Sequence, residues 1–121
     1  MKKTLVLMIG CLASLNLYAT TNPGSGQKWY GPFTLTKVAR YWDGSYHRMS
    51  VHIAEEPGTD CSVTNSEKKI SYVGRSETFS DSLFSAAATA QAQNKRVMLL
   101  LDGACDASFG KNVHGIEIFS D

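Results

Sequence analysis

The chain has almost no net charge: 12 Lys and Arg stand against 11 Asp and Glu, a formal +1. A near-neutral domain lacks the electrostatic footprint of a nucleic-acid binder and has little pull toward anionic membrane surfaces. Cysteine is scarce. Of the 3 present, only Cys61 and Cys105 lie beyond the N-terminal stretch, far apart and without CxxC spacing, which excludes the usual redox and zinc patterns. The 3 histidines, His47, His52 and His114, form no HxH or HxxxH pair. His47 and His52 are an odd number of residues apart and would face opposite ways on a strand, so no metal site is expected. No GxSxG, HExxH or P-loop pattern occurs. Glu55, Glu56, Asp60, Asp102 and Asp106 all fall in expected turns rather than in a paired arrangement. No catalytic residue and no cofactor is assigned, and an enzyme is not expected.

What is present begins with Met1-Lys2-Lys3, an uncharged, mostly apolar stretch over residues 4–17, and Leu17-Tyr18-Ala19 as a small-residue exit. This pattern predicts a secretory signal peptide over residues 1–19 and a periplasmic or secreted protein. The apolar stretch is too short for a spanning helix, so no stable membrane insertion is expected after cleavage. Met8-Ile9-Gly10-Cys11 resembles a lipoprotein cleavage box, but it would leave only residues 4–10 as the apolar region. The expectation is therefore a cysteine inside a discarded leader. Loss of Lys2 and Lys3 turns the formal +1 into −1. The remaining length suits one domain with a modest core. In an exported chain, Cys61 and Cys105 read as one disulfide.

Residues 20–28, rich in Thr, Asn, Pro, Gly and Ser, predict a flexible tail, with a single domain over 29–121. Residues 33–42 alternate as a half-buried strand. Asp43-Gly44 follows as a hairpin signal, and residues 46–53 alternate again, with His47, Met49, Val51 and Ile53 on one face. A third strand is expected at 70–73. Residues 76–94 carry Phe79, Leu83, Ala86, Ala87 and Ala90 at helical steps, with Ser80 or the Thr78–Asp81 segment as cap. Residues 96–101 hold the longest apolar run of the domain and predict the central strand, stopped by Asp102-Gly103. A small-residue loop and a last strand over 113–119 complete the chain.

The order of three strands, a helix and two strands is the OB-fold arrangement. The fold class expected is therefore mainly β with one helix (α+β): an OB-fold-like five-stranded antiparallel barrel with its helix between strands 3 and 4 and one disulfide. The segments TLTKVARYWDGSYHRMSVHI, LFSAAATAQAQNKRVMLLLDGAC and VHGIEIF resemble a group of small exported bacterial proteins. Their layout is similar to the B subunits of subtilase-type and typhoid-type AB5 toxins. That resemblance implies a ring of five subunits, an A-type partner subunit and binding of sialylated glycans through a serine after the first aromatic of strand one. Thr34 stands at that serine's place and can donate the same hydrogen bond.

The residues themselves point to one further feature. Arg40, Tyr41 and Trp42 on one side of the hairpin turn and Tyr46 and Arg48 on the other place aromatics beside arginines. Such sets stack on ligand rings or stabilise a hairpin by cross-strand pairing. With Thr34 they form the candidate ligand-binding set. The functional expectation is a non-enzymatic binding domain whose partner is a protein or a glycan. The stand-alone form is placed first because the toxin serine is replaced; a homo-oligomeric, glycan-binding ring of AB5 type is the alternative, and an uncharacterised enzyme ranks third.

Overall fold

A computed structural model describes residues 21–64 and 67–119. The expected leader and Cys11 lie outside the described residues. The elements are β1 (Lys28–Phe33), β2 (Leu35–Trp42), β3 (His47–Ile53), β4 (Lys69–Tyr72), α1 (Glu77–Ala92), β5 (Val97–Asp106) and β6 (Gly110–Ile118). The protein is mostly β with one helix, and its strands form a single sheet in the order β1-β5-β6-β4-β3-β2.

The sheet differs from the expected barrel in strand number, closure and strand direction. The sheet has 6 strands rather than five, because a strand not expected from sequence, β1, precedes the expected first strand; the two are separated at Thr34 and have different partners. β1 pairs with β5, whereas β2 pairs with β3. β1 lies at one edge of the sheet and β2 at the other, so the hydrogen-bonded sheet does not close into a barrel. The sheet is also not wholly antiparallel: β4 and β6 run parallel, with Ile70 opposite Lys111 and Ser71 opposite Asn112. Parallel neighbours need a long crossover, and α1 with β5 supplies it.

Alternation places the core. Met49, Val51 and Ile53 of β3, Ile70 and Tyr72 of β4, Val97, Leu99 and Leu101 of β5 and Val113 of β6 are all buried. They pack against Leu83, Ala87 and Ala90 of α1, whose small residues let the helix lie close to β2 and β3. The helix starts at Ser76, whose side chain accepts a hydrogen bond from Phe79 N–H at 3.1 Å. Ser80, offered as a cap from sequence, lies instead within the first turns and is fully buried.

The turn signals also act differently from expectation. The β2–β3 connection spans residues 43–46, closed by Asp43 N–H donating to the Tyr46 carbonyl at 3.1 Å. Asp102-Gly103 does not end β5; the strand runs on to Asp106, with an irregularity in its pairing between Leu101 and Cys105. The Asp102 carboxylate takes the Ala104 N–H at 2.8 Å, so the Asp-Gly pair shapes a bulge rather than a turn. β6 begins at Gly110, φ 77°, where a Cβ would collide with the Lys69 carbonyl of β4.

Cys61 and Cys105 form the disulfide, with their Cα atoms 5.6 Å apart, tying the loop before β4 to β5. Among the described residues no helix is long and apolar enough to cross a membrane. A disulfide is consistent with an oxidising compartment.

Candidate functional site

Strand alternation splits the candidate set three ways. Thr34 sits between β1 and β2, at the opposite end of the hairpin from the turn. Its N–H and hydroxyl both donate to the Glu55 carboxylate, at 2.7 and 2.8 Å. Burial pushes the Glu55 carboxyl up, but these bonds outweigh it and hold the group below its usual range. Arg40 and Trp42 share the helix-side face with His47. Arg40 Nε is 2.8 Å from Asp81 of α1, and Arg40 Nη1 lies 3.3 Å from His47 Nδ1. The guanidinium can only donate, so His47 Nδ1 is the acceptor. The Trp42 ring lies 4.9 Å from the His47 ring and stays 57% exposed.

Tyr41, Tyr46 and Arg48 belong together, on or beside the outer face. There they meet three residues that sequence reasoning did not select: Lys69, Arg75 and Phe109. Cations and rings alternate. Arg75 lies 5.5 Å from the Tyr46 ring centroid, Arg48 lies 5.0 Å from both Tyr46 and Phe109, and Lys69 lies 5.6 Å from Phe109 and 6.0 Å from Tyr41. The only sequence signal for Phe109 was that it is the one large aromatic in a loop of small residues.

Local chemistry positions each member. The Asp43 carboxylate accepts the Ser45 and Tyr46 N–H groups at 2.8 and 2.7 Å and pairs with Arg48 Nε at 2.6 Å. The Tyr46 N–H, the Arg48 guanidinium and the Ser45 N–H lower its pKa to about 2. Asp106 accepts the N–H groups of Ser108 and Phe109 at 2.7 and 3.1 Å, which fixes the backbone of the β5–β6 turn that carries Phe109. Beneath the ladder, Tyr41 Oη contacts Ser50 Oγ at 3.1 Å, and Ser50 Oγ contacts Ser71 Oγ at 2.7 Å. Both serines are fully buried although they face away from the core.

Arg48 is 8% exposed, and its Nη1 is buried without a hydrogen-bond partner. The residue forms part of the wall of a cleft of about 280 Å³, lined also by Val73, Ala104, Cys105, Asp106, Phe109 and Asn112.

A second polar group lies beside it. His114 Nε2 is 2.6 Å from Asp102 Oδ2, and Asn112 Nδ2 donates to the same oxygen at 3.0 Å. Burial raises the Asp102 pKa, but His114, the Ala104 N–H and Asn112 bring it net below the ordinary value. The third member of this group is an amide, which supplies no nucleophile. Among the described residues, no group of three or more His, Cys, Asp and Glu side chains could hold a metal ion.

Comparison with models of known protein families and with curated proteins found no match.

Proposed function

We propose that this protein is a non-enzymatic binding module of the periplasm or the extracellular medium, and that it meets its ligand with the cation–aromatic ladder on the outer face. The observation that carries this reading is Arg48. Its guanidinium lies 5.0 Å from each of two rings and pairs with one carboxylate, its buried Nη1 has no acceptor, and the residue lines a cleft. A fold seeking stability alone has no use for a buried donor in that state. An OB-fold-like build is part of the proposal. What supports it is that β1 and β2, adjacent in the chain and separated at Thr34, lie at the two edges of the sheet, as a single bent strand of an OB-fold would.

The stand-alone form comes first and the AB5-like, glycan-binding ring second. Thr34, at the place of the toxin serine, has both of its donors engaged by Glu55. The test is the native mass of the oxidised protein by light scattering, followed by a glycan array with Phe109→Ala and Thr34→Ala variants. A monomer or dimer supports the stand-alone form, and a pentamer supports the ring. Glycan binding that survives Phe109→Ala but is lost with Thr34→Ala would move the site to the β1–β2 junction and overturn the ladder reading.

A further inference from the structure

We infer that the cleft beside Arg48 takes a monocarboxylate carried on an apolar body; this rests on the reading of the ladder as the ligand surface. The first argument is the orphaned donor. Arg48 Nε is satisfied by Asp43 at 2.6 Å, while Nη1 is buried with no acceptor. Nη1 is closed off from solvent in this conformation, so a carboxylate in the cleft that Arg48 lines reaches it as the side chain turns toward the cleft, satisfying the donor with a charge-assisted bond. The second is the wall chemistry. Val73, Ala104, the disulfide at Cys105 and the Phe109 ring make most of the cleft apolar.

The polar groups of the wall are already engaged. Asn112 spends its carbonyl on Val73 N–H at 3.0 Å and its amide on Asp102, and Asp106 caps its own turn. A polyhydroxylated ligand would find few free partners there, whereas an apolar acid needs only one cation. The third argument is size. A volume of about 280 Å³ lies at the small end of ligand pockets, enough for one ring or one side chain. The shared chemistry could come from a free aromatic or aliphatic acid, or from the C-terminal carboxylate of a peptide ending in an apolar residue.

The experiment is a titration of the isotope-labelled, oxidised protein followed by amide and Arg48 side-chain NMR signals. The probes are benzoate, benzamide, N-acetylphenylalanine and N-acetylphenylalanine amide at matched ionic strength. The expected result is saturable shifts from benzoate at Arg48, Ala104, Phe109 and Gly110, with at least tenfold weaker binding of benzamide. Arg48→Lys should lose at least tenfold and Phe109→Ala several-fold, both with wild-type spectral dispersion elsewhere. N-acetylphenylalanine binding more tightly than benzoate assigns the chain-end source, and the reverse assigns the free acid.

Benzamide binding as tightly as benzoate overturns the carboxylate requirement and leaves the cleft as a binding surface. Benzoate shifts that survive Arg48→Lys unchanged overturn the role of Nη1. Absence of shifts at these residues with both carboxylates overturns the inference, while the mass and array measurements still judge the module reading separately.

Discussion

Tyr46 and Phe109 share one guanidinium: each ring centroid lies 5.0 Å from Arg48 Cζ. Tyr46 comes from the β2–β3 turn and Phe109 from the β5–β6 turn, so a single arginine joins two distant corners of the chain. The same arginine is tied to Asp43, which organises the first turn. The candidate site and the hairpin geometry are therefore coupled through one side chain.

That coupling is acid-labile. The Asp43 pKa is lowered from 3.8 to about 2, so the folded state binds this proton less readily than the unfolded chain. Its stabilising contribution is full above the ordinary value and is lost as the pH falls through about 2. His52 acts in the same direction at higher pH. Burial lowers its pKa from 6.5, so the unfolded chain takes up the proton first as the pH falls through that value. Thermal midpoints measured from pH 7 to pH 2 should fall in both windows. The difference between wild type and Asp43→Asn should shrink toward the acid end.

The disulfide closes a loop with a sequence separation of 44. By loop-closure entropy, Cys61→Ser with Cys105→Ser should cost about 4 kcal/mol. Urea unfolding of the oxidised protein and of the double variant measures this difference. An effect below about 1 kcal/mol would show that the reduced chain retains the loop contacts when unfolded.

Leu99 is 1% exposed, on the strand that pairs with both β1 and β6, opposite Tyr30 and Ile116. Leu99→Ala should destabilise the protein by about 2–5 kcal/mol, the range for a leucine removed from a packed core. Denaturant titration tests it, with the disulfide left intact in both proteins.

Ser76→Ala removes the side-chain acceptor of the Phe79 N–H at the start of α1. The expected loss is about 1 kcal/mol. Ser76→Asp should retain most of the stability, since a carboxylate accepts the same bond and complements the helix dipole. Circular dichroism melts of the three proteins decide between a capping role and a purely local one.

Much of this architecture is legible in the chain itself. Alternation from Met49 to Ile53, the helical spacing of Leu83, Ala87 and Ala90, and the apolar run ending at Leu101 place three elements close to where they stand. These are local signals, set by which positions a strand or helix turns to one side. Cys61 and Cys105 named their own bond, because no other cysteine beyond Cys11 competes for either. What neighbouring residues could not reveal is pairing. Thr34 looks like ordinary strand sequence, yet the chain changes partner there, since β5 returns beside β1 and β3 beside β2.

The candidate site shows the same limit. Arg40, Tyr41 and Trp42 are adjacent in sequence, and the pleat sends them to opposite faces. Phe109, Lys69 and Arg75 reach Arg48 and the two tyrosines only because β3, β4 and β6 lie side by side. The sequence by itself determined the type of the elements from β2 to β6, most core positions and the disulfide, which follow from local periodicity and composition; it did not show β1 as a strand or carry β5 past Asp102. The tertiary structure alone decided the parallel β4–β6 pairing, the break at Thr34 and the membership of the ladder. Those depend on contacts between residues far apart in the chain, which hydrophobic pattern does not encode.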